Sequence, residues 1–221
     1  MAHSTQDQTD FDPQAVLDFW FPDNGHWTSA ETHAAFWDER MQGGMDAAII
    51  ADFADLTLAA ATGQLDHWAE TPRGRLALLI ALDQFPRSLW RDTPAAFAQD
   101  IKATRLAEAG IANGDFDGLA PWEQVFFHIA ISHCEGPDHL ERMIRHGETV
   151  ERIVAGLPAQ MAAMGDKLRG QHQTILGVIK RFGRHPHRNA VLGRASSSAK
   201  ADYIATGAFP HLRRLASKPS A

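Results

Sequence analysis

The sequence predicts an all-α, single-domain protein of about eight to ten antiparallel helices, arranged like an α-solenoid. Three observations predict this class. Helix starts recur as a capping residue followed by proline, at Asp12-Pro13, Thr71-Pro72 and Thr93-Pro94. Between those starts and a set of glycine stops, apolar residues repeat with the helical period. Alternating polar and apolar runs bounded by turn residues, the mark of half-buried strands, are absent.

The elements follow in order. Asp12 caps a helix in which Ala15, Val16, Phe19 and Trp20 share one face, and Pro22-Asp23-Asn24-Gly25 ends it. A second helical pattern runs from about Ser29, is interrupted at Gly43-Gly44, and continues through Ile49, Phe53 and Leu56 to Gly63. Thr71-Pro72 opens the next. Its run Leu76 to Leu82 is apolar on every side, so this helix is buried all round and forms the centre of the predicted fold. Pro86 disfavours helical geometry at Phe85 and ends or kinks the helix there.

Thr93-Pro94 starts a helix from Ala95 to about Ile111. Pro121 opens one through Phe126 and Ile131, which Gly136-Pro137 breaks. Asp138 caps another that reaches Gly156. Pro158 begins a stretch through Met164, His172 to Phe182 is helical again, and Ser196 to Ser198 cap a last helix holding Tyr203 and Ile204. Short turns between helices favour antiparallel neighbours. No linker and no fixed repeat period divides the chain, which predicts one domain over residues 10–215 with flexible ends at 1–9 and 216–221.

Composition narrows the function classes. Of 221 residues, 44% are hydrophobic and 22% charged, which suits a folded globule. The single cysteine, Cys134, excludes an internal disulfide framework. Met1 to Asp10 is polar and unlike a signal peptide, and Leu76–Leu82 is too short to span a bilayer. These features predict a soluble cytoplasmic protein without a membrane partner. A net charge of −6 argues against general nucleic-acid binding. The charge is polarised: residues 1–70 hold thirteen acids and one arginine, whereas the stretch from Arg181 holds eight basic residues and one acid. Either the acidic front packs against the basic tail, or the tail forms a site for an anion.

Polar groups crowd at three helix ends. Asp83 and Gln84 close the most apolar helix, and a buried carboxylate there needs a partner, the nearest being Arg87. Ser132-His133-Cys134-Glu135 ends the helix begun at Pro121. Adjacent helical residues point in different directions, so Cys134 reads as a buried small hydrophobe in preference to a nucleophile. The segment Arg181 to Asn189, with Arg194 beyond, is the densest in polar residues. Its guanidinium forks suit carboxylate or phosphate, and its imidazoles could titrate near neutral pH. Phosphate-cradling glycine loops, zinc-helix motifs and nucleophile elbows are missing.

Several of these runs together resemble the family called domain of unknown function 924. They are Val16–Phe21 (VLDFWF), Gly63–Trp68 (GQLDHW), Leu82–Arg87 (LDQFPR), Thr93–Asp100 (TPAAFAQD), His133–Glu135 (HCE) and Arg181–Arg194 (RFGRHPHRNAVLGR). The resemblance covers about residues 13–210 and implies a helical fold similar to tetratricopeptide-repeat proteins, with no established reaction. The family pattern carries serine and a following acid where this chain has Cys134 and Gly136. Neither an oxygen nor a sulfur at that position is therefore an obligatory nucleophile. Thr28 likewise replaces an aromatic pair common in the family.

The sequence thus predicts a pocket for a small carboxylate or phosphate, in a protein that could be an enzyme. Asp83, Arg87, Arg181, Arg184, Arg188 and Asn189 would hold the ligand, and His133, Glu135 and His187 would supply catalysis. A peptide-binding groove and a metal-dependent hydrolase using Asp83, His133, Glu135 and His187 are the alternatives. No metal set is assigned, and cofactor and oligomeric state stay open.

Overall fold

A computed structural model of the chain describes residues 11–207, so the expected flexible ends and the domain's outermost residues lie outside the described residues. The described residues form α1 (Pro13–Trp20), α2 (Ala30–Glu39), α3 (Asp46–Asp52), α4 (Ala54–Ala61), α5 (Pro72–Asp83), α6 (Phe85–Leu89), α7 (Asp100–Ala112), α8 (Pro121–His133), α9 (His139–Arg145), α10 (Gly147–Gly156), α11 (Ala162–Phe182) and α12 (Ser198–Ala205). Among them there is no strand. The fold is an all-α single domain.

Three of the predicted helix starts are capped by a side chain, while Thr93 and Ser197 make no such bond. Asp12, Ser29 and Thr71 accept hydrogen bonds from the backbone N–H groups of Gln14, Thr32 and Gly74, at 2.8, 3.1 and 3.1 Å. Gly74 also allows a close approach: a Cβ there would lie 2.2 Å from the Trp68 carbonyl oxygen. Gly183, at φ 71°, ends α11 in the left-handed conformation that a side chain would strain.

Every residue from Leu76 to Leu82 is at most 1% exposed. Each large aliphatic side chain so buried stabilises the fold by roughly 1.5–3 kcal/mol. Around α5 pack α1, α4, α6, α7 and α8, with Trp20, Phe53, Phe85 and Phe127 filling the space. In a solenoid each unit touches only its neighbours in sequence. Helix α5 instead serves as a common axis, a burial its all-round apolar surface requires.

Four boundaries differ from the sequence expectation. A 3-10 turn, Pro94–Phe97, precedes α7, which begins only at Asp100. The helix expected from Asp138 to Gly156 breaks at His146 into α9 and α10. Asp138 does not cap α9 with its side chain, because its carboxylate accepts from Arg142 Nη1 at 2.6 Å. The two stretches expected after Pro158 are one 21-residue helix, α11. Its internal glycine Gly165 lets α10 approach, since a Cβ would sit 2.9 Å from Val154. That packing offsets a propensity cost of about 1 kcal/mol.

Candidate functional site

The ends of α5 and α8, the start of α7 and the segment after α11 meet in one place. Asp83, the last residue of α5, is 1% exposed. His133 closes α8 and donates from Nδ1 to its two carboxylate oxygens, at 2.9 and 3.0 Å. That contact fixes the orientation of the ring. Gln84 Nε2 donates to the same carboxylate. Arg87 Nη1 lies 3.3 Å from Asp83 Oδ1, so the local ion pair expected from the sequence forms.

Asp100 then joins two elements remote in sequence. It accepts from Arg87 Nη2 at 2.9 Å and from Arg188 Nη1 at 3.0 Å. Both guanidiniums also lie over the ring of Phe97, at 5.7 and 4.5 Å from its centroid. Burial opposes the charge on Arg87, but Asp83 and Asp100 outweigh it and hold its pKa above the usual value. For Arg188 burial wins over Asp100, and its pKa is lowered.

The carbonyls at the C-terminus of α8 would be orphans without partners. Arg188 donates to the His133 carbonyl at 2.8 Å, and Arg142 donates to that of Cys134. His139 Nε2 and His185 Nε2 both reach the Ser132 carbonyl, at 3.1 and 3.0 Å. Burial keeps both imidazoles neutral, with His139 lowered to about 4 and His185 well below its ordinary range. Glu135 accepts from the His185 backbone N–H at 2.7 Å and pairs with Arg194. Burial raises its pKa, but Arg194 and the His185 N–H outweigh that and hold the carboxyl below its usual range.

Two cavities flank this network. One, of about 250 Å³, is walled by Pro94, Phe97, Ala98, Ile101 and Leu192, with Asp100, Cys134, Glu135 and Arg188 also lining it. The other, of about 450 Å³, is lined by Glu135, Gly136, Pro137, Gly183, Arg184 and Arg194. Glu135 is common to both. Arg87, Arg188 and Arg194 all have carboxylate partners, whereas Arg184 makes no ion pair among the described residues.

Of the residues expected from the sequence, Asp83, Arg87, His133, Glu135 and Arg188 come together, and Arg184 lines the larger cavity beside them. His187 is half-buried with its ring 5.4 Å from that of His185. Two expectations need correction. Arg181 is exposed on the last turn of α11, its guanidinium over the Phe182 ring at 4.7 Å, and it lines neither cavity. Asn189 is 1% exposed, donates to Ser196 Oγ at 2.9 Å and lines neither cavity. Asp83 and His133 belong to the network but line neither cavity.

Among the described residues, Arg188 and Arg194 of the basic tail pair with Asp100 and Glu135, from the middle of the chain. Asp100, His185 and Arg194 were not among the expected site residues. The Thr93–Asp100 motif held the one usable signal, a lone acid after an apolar turn. Cys134 is 5% exposed and burial raises its thiol pKa, as suits a small core residue. Among the described residues no group of three or more His, Cys, Asp or Glu is arranged to hold a metal ion. His133 Nδ1 and Glu135 are already committed, to Asp83 and to Arg194 with His185. No helix of the described residues is long and apolar enough to cross a membrane.

Comparison with known proteins places the chain by resemblance. A family model described as a bacterial protein of unknown function, DUF924, matches residues 16–208. A solved structure of a protein of unknown function, ATU0120 from Agrobacterium tumefaciens, is 29% identical and superposes with a TM-score of 0.63. The match covers 88% of this chain and 97% of that one. Among curated proteins none matches.

Proposed function

We propose, for a chain that belongs to the DUF924 family of bacterial proteins of unknown function, that it binds a small carboxylate or phosphate in the cleft of Arg184 and Arg194. One observation carries the reading: Arg184 lines a cavity of about 450 Å³ and makes no ion pair among the described residues, while Arg87, Arg188 and Arg194 are paired. With Glu135 matched by Arg194, the cleft keeps one net positive charge. A guanidinium fork recognises a planar carboxylate or a phosphate through two parallel hydrogen bonds. Gly183 in the cleft wall, with nothing within 4 Å of where a Cβ would stand, leaves room for an anion to approach the backbone.

Titration calorimetry with inorganic phosphate and with acetate tests this. Wild type should give a saturable signal, and Arg184→Ala should abolish it while leaving the helical circular-dichroism spectrum unchanged. Absence of binding by wild type to either anion would sink the reading.

The Asp83–His133 pair favours a second reading, in which the protein is an enzyme. A buried carboxylate at Nδ1 orients the imidazole, the arrangement that positions a general base. His133 would be the base, with His187 a further imidazole in the segment after α11 and Glu135 holding Arg194 in place. Turnover of a panel of esters and phosphomonoesters, lost in His133→Gln with folding intact, is the result this reading requires. A panel on which wild type shows no activity above His133→Gln would remove it.

A further inference from the structure

We infer that the anion is amphipathic: an alkyl carboxylate or phosphomonoester whose head lies at Arg184 and whose tail occupies the cavity of Phe97, Ala98, Ile101 and Leu192. The inference rests on the anion reading above and names its ligand class.

Three observations carry it. First, the cationic cleft and the smaller cavity are neighbours, with Glu135 in the lining of both. Second, the charges inside the smaller cavity are already matched. Asp100 is held by Arg87 and Arg188, and Glu135 by Arg194, so the cavity offers a head group no unpaired cation. What it offers is apolar surface. Ile101 stands at its wall, 57% exposed, with Phe97, Ala98 and Leu192 beside it. Third, the wall is stiff. Phe97 stacks against two guanidiniums that are themselves bound to Asp100, which holds the ring in one orientation. A preformed apolar surface binds without an ordering cost.

The smaller cavity, about 250 Å³, sets the scale of the tail as a short alkyl chain.

The experiment is calorimetric titration of the full chain with acetate, butyrate, hexanoate and octanoate. Wild type should bind each longer acid more tightly, by about three- to fourfold per added methylene. In Ala98→Leu, a change at an exposed position that fills the cavity, this gain should vanish while acetate binding stays as in wild type. Ile101→Asp, also at an exposed position, provides a second route and should weaken octanoate selectively. Equal affinity for acetate and octanoate in wild type would overturn the amphipathic ligand and leave the anion reading standing. Binding of neither acid nor of phosphate would remove both. A chain-length gain that survives in both Ala98→Leu and Ile101→Asp, or octanoate binding unaffected by Arg184→Ala, would overturn the placement argued here.

Discussion

His128 and His133 sit on the same helix and meet opposite environments. His133, at the end of α8, is held by both oxygens of Asp83, and its carbonyl is capped by Arg188. His128, in the middle of α8, is 2% exposed, and neither ring nitrogen has a hydrogen-bond partner among the described residues. Its ring packs against His172, centroids 5.2 Å apart. Burial first, then the neighbouring His172 and His146, lower its pKa to about 3. The difference comes from where orphan groups arise. A helix end leaves carbonyls that draw in donors from incoming segments, and those donors bring acids with them. A helix interior satisfies its own backbone, so nothing recruits a partner for a polar side chain there. The neutral form is the only one the buried site tolerates.

The largest test of that contrast is acid. His128 is lowered to about 3, and His26, His33 and His139 to about 4, from an ordinary 6.5. The unfolded chain takes up protons near 6.5, while the folded chain takes them up only near 3–4. Folding stability should therefore be full above pH 6.5 and fall as pH drops toward 4, by up to about 1.4 kcal/mol per pH unit for each such histidine. Urea midpoints measured between pH 7.5 and 5 check this, and a flat profile would mean these rings stay charged or exposed.

Next in size, Asp100→Ala removes the acid shared by Arg87 and Arg188 and leaves the buried Arg188 guanidinium without a carboxylate, while Arg87 keeps Asp83. The expected loss is about 3–5 kcal/mol in urea unfolding. A midpoint close to wild type would show that Arg188 finds another acceptor.

His128→Leu should move the other way, from neutral to about 1–3 kcal/mol more stable, because it removes a buried polar ring without breaking a bond. It should also flatten the acid profile. A clear loss of stability would show that the ring holds a partner after all. Arg184→Ala is the smallest: a cavity-lining arginine without an ion pair should change stability by less than about 0.5 kcal/mol. A larger loss would place Arg184 in the network with Arg188, not in a binding cleft.

Much of this was determined by the sequence alone. The run from Leu76 to Leu82 has no polar face, so it had to become the centre of the core. Asp83 had to be matched because it ends that run, and Arg87 lies one turn away. Gly183 had to stop α11, and Cys134 could only be a small buried residue. Which of the arginines after position 180 would enter the network was decided by tertiary structure. Arg181 still belongs to the helical surface and faces solvent, while the left-handed turn at Gly183 redirects the chain so that Arg188 and Arg194 reach Asp100 and Glu135. Asp100 as an acceptor for two arginines, and His128 buried against His172, depend on which helices pack together. Local rules set helix caps and apolar faces within a few residues. The partners of a buried charge come from segments far apart in the chain, and only their packing brings them within hydrogen-bond reach.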